Sequence, residues 1–294
     1  MRQDGPQLSQ FDRLSAMNKF PKRIDVNPTA KCNLRCTFCW GPEHNIPDGI
    51  DTQGWEKIIG FFAANGTKEI VFTGGEPLIR PDLAQLLCFA KEQGLRVTLS
   101  TNTLLLNEKR AIELLPYVDE IGVPVDGSNP QKNSLMRTSL VPELSKKHFI
   151  SAMEALPLIR RLNPKIEITI RTVVSKINKN NIIEIGKLLN RQKENWDRWK
   201  LYQFTPVSIG AKNQNLHNIS TSEFKIIGRL VLKTWPNSSI QIYAMDDRIG
   251  KYFFLGPEGG VFGVGNDGMY KRLGLFQEMS KSKLTRAINS LINN

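Results

Sequence analysis

Apolar positions along this chain of 294 residues follow two alternating periods. Short β-branched or aromatic runs at 24–27, 70–73, 96–100, 118–125, 166–174 and 199–204 read as strands. Between them, apolar residues recur at helical spacing. Trp55, Ile58, Ile59 and Phe62 mark a helix ending near residue 64, with Asp51 or Thr52 placed to cap it. Further helices are predicted over 81–93, stopping at Gly94, and over 107–115, stopping near Pro116, then over 145–162, 180–191 and 221–234. A strand followed by a helix, six times over, argues for parallel strands joined by right-handed crossovers. Past this repeat the runs at 239–243, 252–255 and 260–264 are short and separated by Gly, Pro and Asp, as in an antiparallel tail packed on a barrel edge or over its mouth. A last helix is expected over 284–291. The reading divides the chain into an N-terminal extension (1–20), a strand-helix unit (21–235) and a C-terminal extension (236–294).

Size permits a substantial core, and one barrel-like α/β unit with an appended piece fits the length better than several small domains. No apolar run approaches the roughly 20 residues that span a bilayer. The first residues, which include Asp4, Gln7, Gln10, Asp12 and Arg13, lack a secretory core, so a cytoplasmic address is expected. Of four cysteines three are clustered, which argues against a disulfide scaffold and for a reducing compartment.

The clustered cysteines are Cys32, Cys36 and Cys39, in the spacing C-x3-C-x2-C directly after the first predicted strand. Three thiolates so close in sequence can converge on a soft metal centre when the backbone between them is a loop. A closed structural zinc site and a ferredoxin-type cluster both take four protein ligands, so three leave a coordination position for a non-protein ligand. The same cysteines also suit a zinc site completed by His44, or plain burial as small apolar residues. A second motif, Gly74-Gly75-Glu76-Pro77, follows the strand at 70–73. Its glycines allow backbone to approach a ligand closely, Pro77 stiffens the exit, and Glu76 can face a bound ammonium.

In that order and context, the two motifs resemble those of the radical S-adenosylmethionine (SAM) superfamily, with Phe38 at the aromatic position before the third cysteine. The resemblance implies an α/β fold, a partial (β/α)6 TIM-like barrel with a small antiparallel C-terminal extension. It also implies a 4Fe-4S cluster on Cys32, Cys36 and Cys39 and SAM chelated at the remaining iron. One-electron cleavage of SAM would then give a 5′-deoxyadenosyl radical that abstracts hydrogen from an unactivated carbon. Ligands of strand-helix barrels gather at the carboxyl ends of the strands. Cofactor contacts are therefore expected from Gly74, Gly75, Glu76 and Pro77, from Ser100 and Asn102, from Asp126 followed by Met136-Arg137, from Arg171 and from Phe204, the last within a group around the sixth strand, Tyr202, Gln203, Phe204 and Pro206, that resembles an adenine or substrate wall. Turn capping by Ser100, Asn102 and Asp126 and core packing by Phe204 are the plainer readings of those residues. Arg171 lies in an apolar strand and needs a carboxylate or ligand to neutralise it. Cys88 falls in the apolar pattern of a helix and is expected to be inert core. Trp40 and the tail strands are candidates for a lid. His217, Asp246, Asp247 and Arg248 are candidate substrate contacts that read equally as ordinary surface residues.

The net charge of +12 concentrates between Arg160 and Lys200. A solvated helix face, a docking surface for an acidic flavodoxin or ferredoxin-type electron donor, and attraction of an anionic substrate all suit it. No helix-turn-helix, zinc-finger or RNA-recognition signature accompanies the charge, which ranks nucleic-acid binding below these. With one further cysteine, the auxiliary-cluster domains of many peptide-modifying relatives are absent. The stretch 198–206 is similar to the corresponding strand of viperin and of radical SAM enzymes acting on antibiotic sugars and nucleosides. A small sugar-, nucleoside- or nucleotide-type substrate is thus expected, the alternatives being an activase acting on a protein partner and a non-catalytic zinc or nucleic-acid module. Cys36→Ala is expected to abolish the brown iron-sulfur chromophore and deoxyadenosine release while leaving the circular-dichroism spectrum unchanged; Cys88→Ala should alter neither.

Overall fold

The computed structural model describes residues 20–236, 239–248, 252–265 and 270–292, apart from the side chains of Arg248, Leu291 and Ile292. The extension expected over residues 1–20 lies outside the described residues except for Phe20, which is buried edge-on against Phe61 and Phe62.

Six strand-helix units follow one another. They comprise β1 (Arg23–Val26) and α1 (Thr52–Ala64); β2 (Glu69–Phe72) and α2 (Leu83–Glu92); and β3 (Arg96–Ser100) and α3 (Glu108–Leu114). Next come β4 (Glu120–Pro124), the short α4 (Pro130–Ser134) and α5 (Pro142–Leu162), then β5 (Glu167–Val174) and α6 (Ile182–Asn190). The sixth unit holds β6 (Arg198–Gln203), two single-turn helices α7 (Ile209–Lys212) and α8 (Gln214–His217), and α9 (Thr221–Thr234). The Asp51 side chain caps α1 by accepting from the Gly54 amide at 2.8 Å.

Strands β1 to β6 pair in parallel in chain order, as the repeat predicts. The tail departs from expectation. Strand β7 (Ile240–Tyr243) is a seventh parallel strand on β6, because α9 returns the chain to the amino edge as the earlier crossovers do. Strand β8 (Phe253–Leu255) also runs parallel to β1 on the opposite edge. Only β9 (Gly260–Val264) and β10 (Tyr270–Leu275) continue from it antiparallel, so the sheet runs β10-β9-β8-β1-β2-β3-β4-β5-β6-β7 and is not closed. Short strands broken by Gly and Pro look alike in sequence whichever neighbour they take. Strand β10 was not foreseen. Helix α10 (Lys281–Ile292) ends the described chain, and no described helix is long and apolar enough to cross a membrane.

Alternation along each strand separates two environments. One set, including Ile24, Val26, Ile70, Phe72, Val97, Leu99, Ile121, Ile168, Trp199 and Leu201, packs with Trp55, Phe62, Leu83, Leu86, Ile185 and Phe224 of the helices in the main core. The other set is charged and faces the barrel interior. At the amino end Glu120 is paired with Lys200 at 2.9 Å, Arg171 at 3.3 Å and Arg96 at 3.6 Å, while Glu167 takes Arg96 and Arg198, each at 2.9 Å. Arg171, Arg198 and Lys200 of the basic stretch belong to this belt. Arg160 and Arg198 border a groove at the amino ends of β5 and β6, and Arg160 is paired with Asp197. That groove is a strand length, about 20 Å, from the carboxyl ends where the three thiols lie.

Cys88 is not core. The buried stripe of α2 is Leu83, Leu86, Leu87 and Ala90, and Cys88 sits beside it, half-exposed, with its thiol 3.5 Å from Glu92 one turn on. Phe62, by contrast, is 1% exposed between α1 and the sheet. Phe62→Ala is expected to lower the unfolding free energy by about 3–5 kcal/mol, measured by urea denaturation of the purified chain.

Candidate active site

The long loop after β1 carries all three clustered cysteines and is held from several sides. Asp48 folds it back on itself, accepting from Thr29 Oγ1 at 2.8 Å and from the Ala30 amide at 3.0 Å. The Gly-Gly-Glu segment after β2 pairs with it through Gly75 N–H to Thr29 O at 2.8 Å and Glu76 N–H to Lys31 O at 2.7 Å. This approach needs glycine. A Cβ on Gly75 would collide with the Lys31 carbonyl, and one on Gly74, which has φ +117°, would lie 2.7 Å from Thr29 O. On the outer side Arg35 N–H donates to Thr138 O at 2.6 Å, and Gly210 N–H donates to Cys39 O at 2.9 Å. Thr37 Oγ1 meets His217 Nε2 at 2.8 Å.

The three thiols line one cavity together with Gly74, Gly75, Glu76, Ser100, Asn102, Arg171 and Phe204. Cys32 Sγ accepts from the Leu34 amide at 3.4 Å, and Cys39 Sγ from the Gly41 amide at 3.4 Å. Burial pushes Cys32 and Cys36 up to about 12 and raises Cys39, so without a metal all three are held as neutral thiols. A coordinated cation reverses that preference.

Glu76 is fully buried. One carboxylate oxygen accepts from Thr101 Oγ1 at 2.7 Å and the Leu78 amide at 3.1 Å; the other accepts from the Asn102 amide at 2.7 Å. Two oxygens offer about four acceptor positions, which leaves room for a donor from the cavity. Burial raises its carboxyl to about 7 despite those three donors. Pro77 starts the short turn after Glu76, is buried, and does not line the cavity. Asn102 stands beside the cysteine loop, with Nδ2 2.6 Å from Asn33 Oδ1 and 3.8 Å from Cys32 Sγ.

Asp126 is also outside the cavity wall. It is fully buried, and its Oδ2 accepts from Arg137 Nε at 2.6 Å; the arginine is the group that reaches the cavity. Arg171 has the carboxylate partner its burial required, Glu120, and it also donates to Ser100 Oγ. Burial pushes the Glu120 carboxyl up, but Arg171 and Lys200 outweigh it and hold Glu120 down at about 2. Gly122 makes space for this arrangement, since any Cβ there would meet the Arg171 guanidinium. Phe38 and Phe204 pack against the His217 ring, with centroids 5.9 and 5.3 Å away, so His217 supports the loop from beneath. Trp40 packs edge-on against Tyr252 and Phe254, which brings the C-terminal strands over the loop. Asp246 and Asp247 are exposed and do not border the cavity, and Asp247 accepts from the Ala244 amide at 2.8 Å.

Of the strand-six group, Tyr202, Gln203 and Phe204 line the cavity and Pro206 does not. Asp25, Tyr252 and Tyr270 of the cavity wall were not assigned from the sequence as site residues, and Arg137 entered only as part of a pattern. For Asp25 a signal existed: it occupies an inward position of its strand, two residues from Arg23.

Among the described residues no three Cys, His, Asp or Glu side chains converge on a single-ion position. A cubane does not require that, because each thiolate binds a separate iron. Three thiols around one cavity, Cys36 buried and Cys32 and Cys39 half-buried, beside a glycine-walled gap, fit a cluster better than one zinc ion. Residues 26–189, more than half of the chain, match the Radical SAM superfamily. The chain belongs to that family. Radical SAM proteins use a 4Fe-4S cluster and SAM, and Cys32, Cys36 and Cys39 are the residues that would hold the cluster. The chain is 30% identical over 210 residues to the Fe-coproporphyrin III synthase of Methanosarcina barkeri, covering 70% of this chain and 50% of that protein. It is 28% identical over 184 residues to the S-adenosylmethionine-dependent nucleotide dehydratase of Selenomonas ruminantium, covering 61% of this chain and 66% of that one. It thus spans half to two thirds of those relatives. In fold it is similar to anSMEcpe with bound AdoMet, with a TM-score of 0.72 at 16% identity, over 92% of this chain and 82% of that one.

The buried Glu76 gives a pH signature. Its folded value lies above its unfolded one, so the folded chain binds the extra proton between the two. The contribution of Glu76 to the stability of the cluster-free protein should therefore be fully present below the unfolded carboxyl range and be lost as pH rises through about 7. Urea midpoints of wild type across that range should show the decline, and Glu76→Gln should flatten it.

Proposed function

We propose that this radical SAM enzyme acts on a small sugar-, nucleoside- or nucleotide-type substrate lodged on the polar floor of its barrel. The observation that carries the reading is the floor itself. Beyond the thiols, the cavity reaches Asp25 on β1, Ser100 on β3, Arg171 on β5 and Tyr202 on β6. Asp25 is 4% exposed, and burial pushes its carboxyl up although Arg23 and Arg171 pull it down. A buried carboxylate and guanidinium on facing strands can accept from hydroxyls and donate to phosphate or carboxylate oxygens of the same small molecule. Such a floor suits a polyhydroxylated or anionic ligand, whose polar groups can join the Arg23–Asp25 and Arg171–Glu120 pairs in a way that apolar surface cannot.

When bound, the cluster and SAM supply a 5′-deoxyadenosyl radical able to take a hydrogen atom from an unactivated carbon. The protein's own residues then do the binding and shielding. Glu76, with one acceptor position to spare, would accept from the ammonium of the sulfonium cofactor, and Gly74 and Gly75 leave backbone open for it to lie against. Asn102 steadies the cysteine loop at its side. Asp25 and Arg171 fix the substrate so that one carbon faces the cofactor, and Trp40 with Tyr252 and Tyr270 limits water at the mouth. A flavodoxin or ferredoxin-type protein in a reducing cytoplasm would deliver the electron, docking on the face of the cysteine loop and not at the distant basic groove.

The name of the Selenomonas ruminantium relative supports a nucleotide, and the positive charge of the chain is compatible with its phosphates. The test is a deoxyadenosine-release screen of the reconstituted enzyme against nucleotides, nucleosides, aminosugars and, in parallel, peptides. Release with a nucleotide or sugar, reduced about tenfold in kcat/KM by Asp25→Asn, a loss in the range of one charged hydrogen bond, supports the reading. Release with peptides alone overturns it in favour of a peptide-modifying enzyme.

A further inference from the structure

We propose that Arg137 sets the reduction potential of the cluster held by Cys32, Cys36 and Cys39, and that Asp126 fixes how much of the arginine's charge reaches the sulfurs. The inference rests on the cluster assignment above and goes beyond it, since neither residue is a ligand.

The geometry is specific. Arg137 follows β4 and turns back into the cavity, where its guanidinium lies 4.9 Å from the centroid of the Phe38 ring. It lines the same cavity as Cys36 and Cys39, and its charge pulls both thiols down against the effect of burial. Its other side is gripped by Asp126 Oδ2 at 2.6 Å. The carboxylate is itself immobile. Its Oδ1 accepts from the Val173 amide at 2.7 Å, its own amide donates to Asn133 Oδ1 at 3.0 Å, and its carbonyl accepts from Asn178 at 3.1 Å. His148 Nδ1 meets the Asn133 amide at 2.9 Å and closes the network from α5. The pair therefore presents its positive end to the sulfurs and keeps its negative end one side chain farther away.

Adding one electron makes a cluster more negative, and a nearby cation in a water-poor site favours that state and so raises the potential. Arg137 supplies that cation, and Asp126 moderates it. Arg35, which lies within the cysteine loop itself, spends its guanidinium on the carbonyls of Cys32 and Leu34. The consequence is a cluster within reach of a protein reductant, poised by the balance of one ion pair.

The two partners should therefore shift the potential in opposite directions. The full chain, reconstituted anaerobically with iron and sulfide, is titrated reductively with mediators, and the reduced cluster is followed by electron paramagnetic resonance. Arg137→Gln is expected to move the midpoint to more negative values, Arg137→Lys to restore part of the loss, and Asp126→Asn to move it to more positive values. A potential unchanged in Arg137→Gln at full iron content overturns the proposal, as does a shift of the same sign in Arg137→Gln and Asp126→Asn. Should Arg137→Gln fail to retain iron, Asp126→Asn decides, because it keeps the cation: an unmoved potential there overturns the proposal. A wild-type chain that takes up no cluster would sink the cofactor assignment first, and is distinguished by its lack of colour before any titration.

Discussion

The site depends on one backbone contact. The Gly74-Gly75-Glu76 segment after β2 lies so close to residues 29–31 that amides on one side meet carbonyls on the other, through Gly75 to Thr29 and Glu76 to Lys31. A loop bearing three thiols has little regular structure to hold it, and unpaired buried amides and carbonyls would be costly. Pairing with a neighbouring strand end satisfies them and orders the cysteines at the same time. The two glycines are the only side-chain choice that permits this separation. Asp48, Thr138, Gly210 and His217 then hold the loop from its remaining sides.

The second constraint is the division of the strands into an apolar outer face and a charged inner one. Helices cover the first and account for most of the buried apolar surface. The second would be costly to bury were its charges unpaired, and the pairs among Arg96, Glu120, Glu167, Arg171, Arg198 and Lys200 offset that cost. The same alternation that places those pairs at the amino end of the barrel places Asp25, Ser100, Arg171 and Tyr202 at the cavity floor. The buried ion pairs and the polar lining of the cavity thus draw on one strand pattern. The Asp126–Arg137 pair extends it to the cysteine loop, with a carboxylate buried in the β4–β5 region holding a cation in the cavity that the three thiols line.

The cysteine spacing, the Gly-Gly-Glu-Pro segment and the six strand-helix units were legible in the chain because each depends on residues near one another in sequence. A helix needs its apolar stripe, a turn its glycine, and three thiols on one loop are neighbours before folding. The need of Arg171 for a partner was legible too, since a buried guanidinium demands one. Which carboxylate would answer, Glu120 from 51 positions away, was not.

Tertiary structure alone decided the matters that rest on long-range pairing. Strand β7 joined the parallel sheet because α9 returned the chain to the amino edge, a direction that Ile240–Tyr243 does not encode. Asp126 left the cavity wall and Arg137 entered it, since their side chains point to opposite sides of the same buried pair. Cys88 fell just outside its helix's buried stripe, whose position is set by what α2 packs against. Local sequence determined the elements and the three-cysteine loop; the packing of distant segments determined which charges meet, because electrostatic partners are chosen by distance in space and not along the chain.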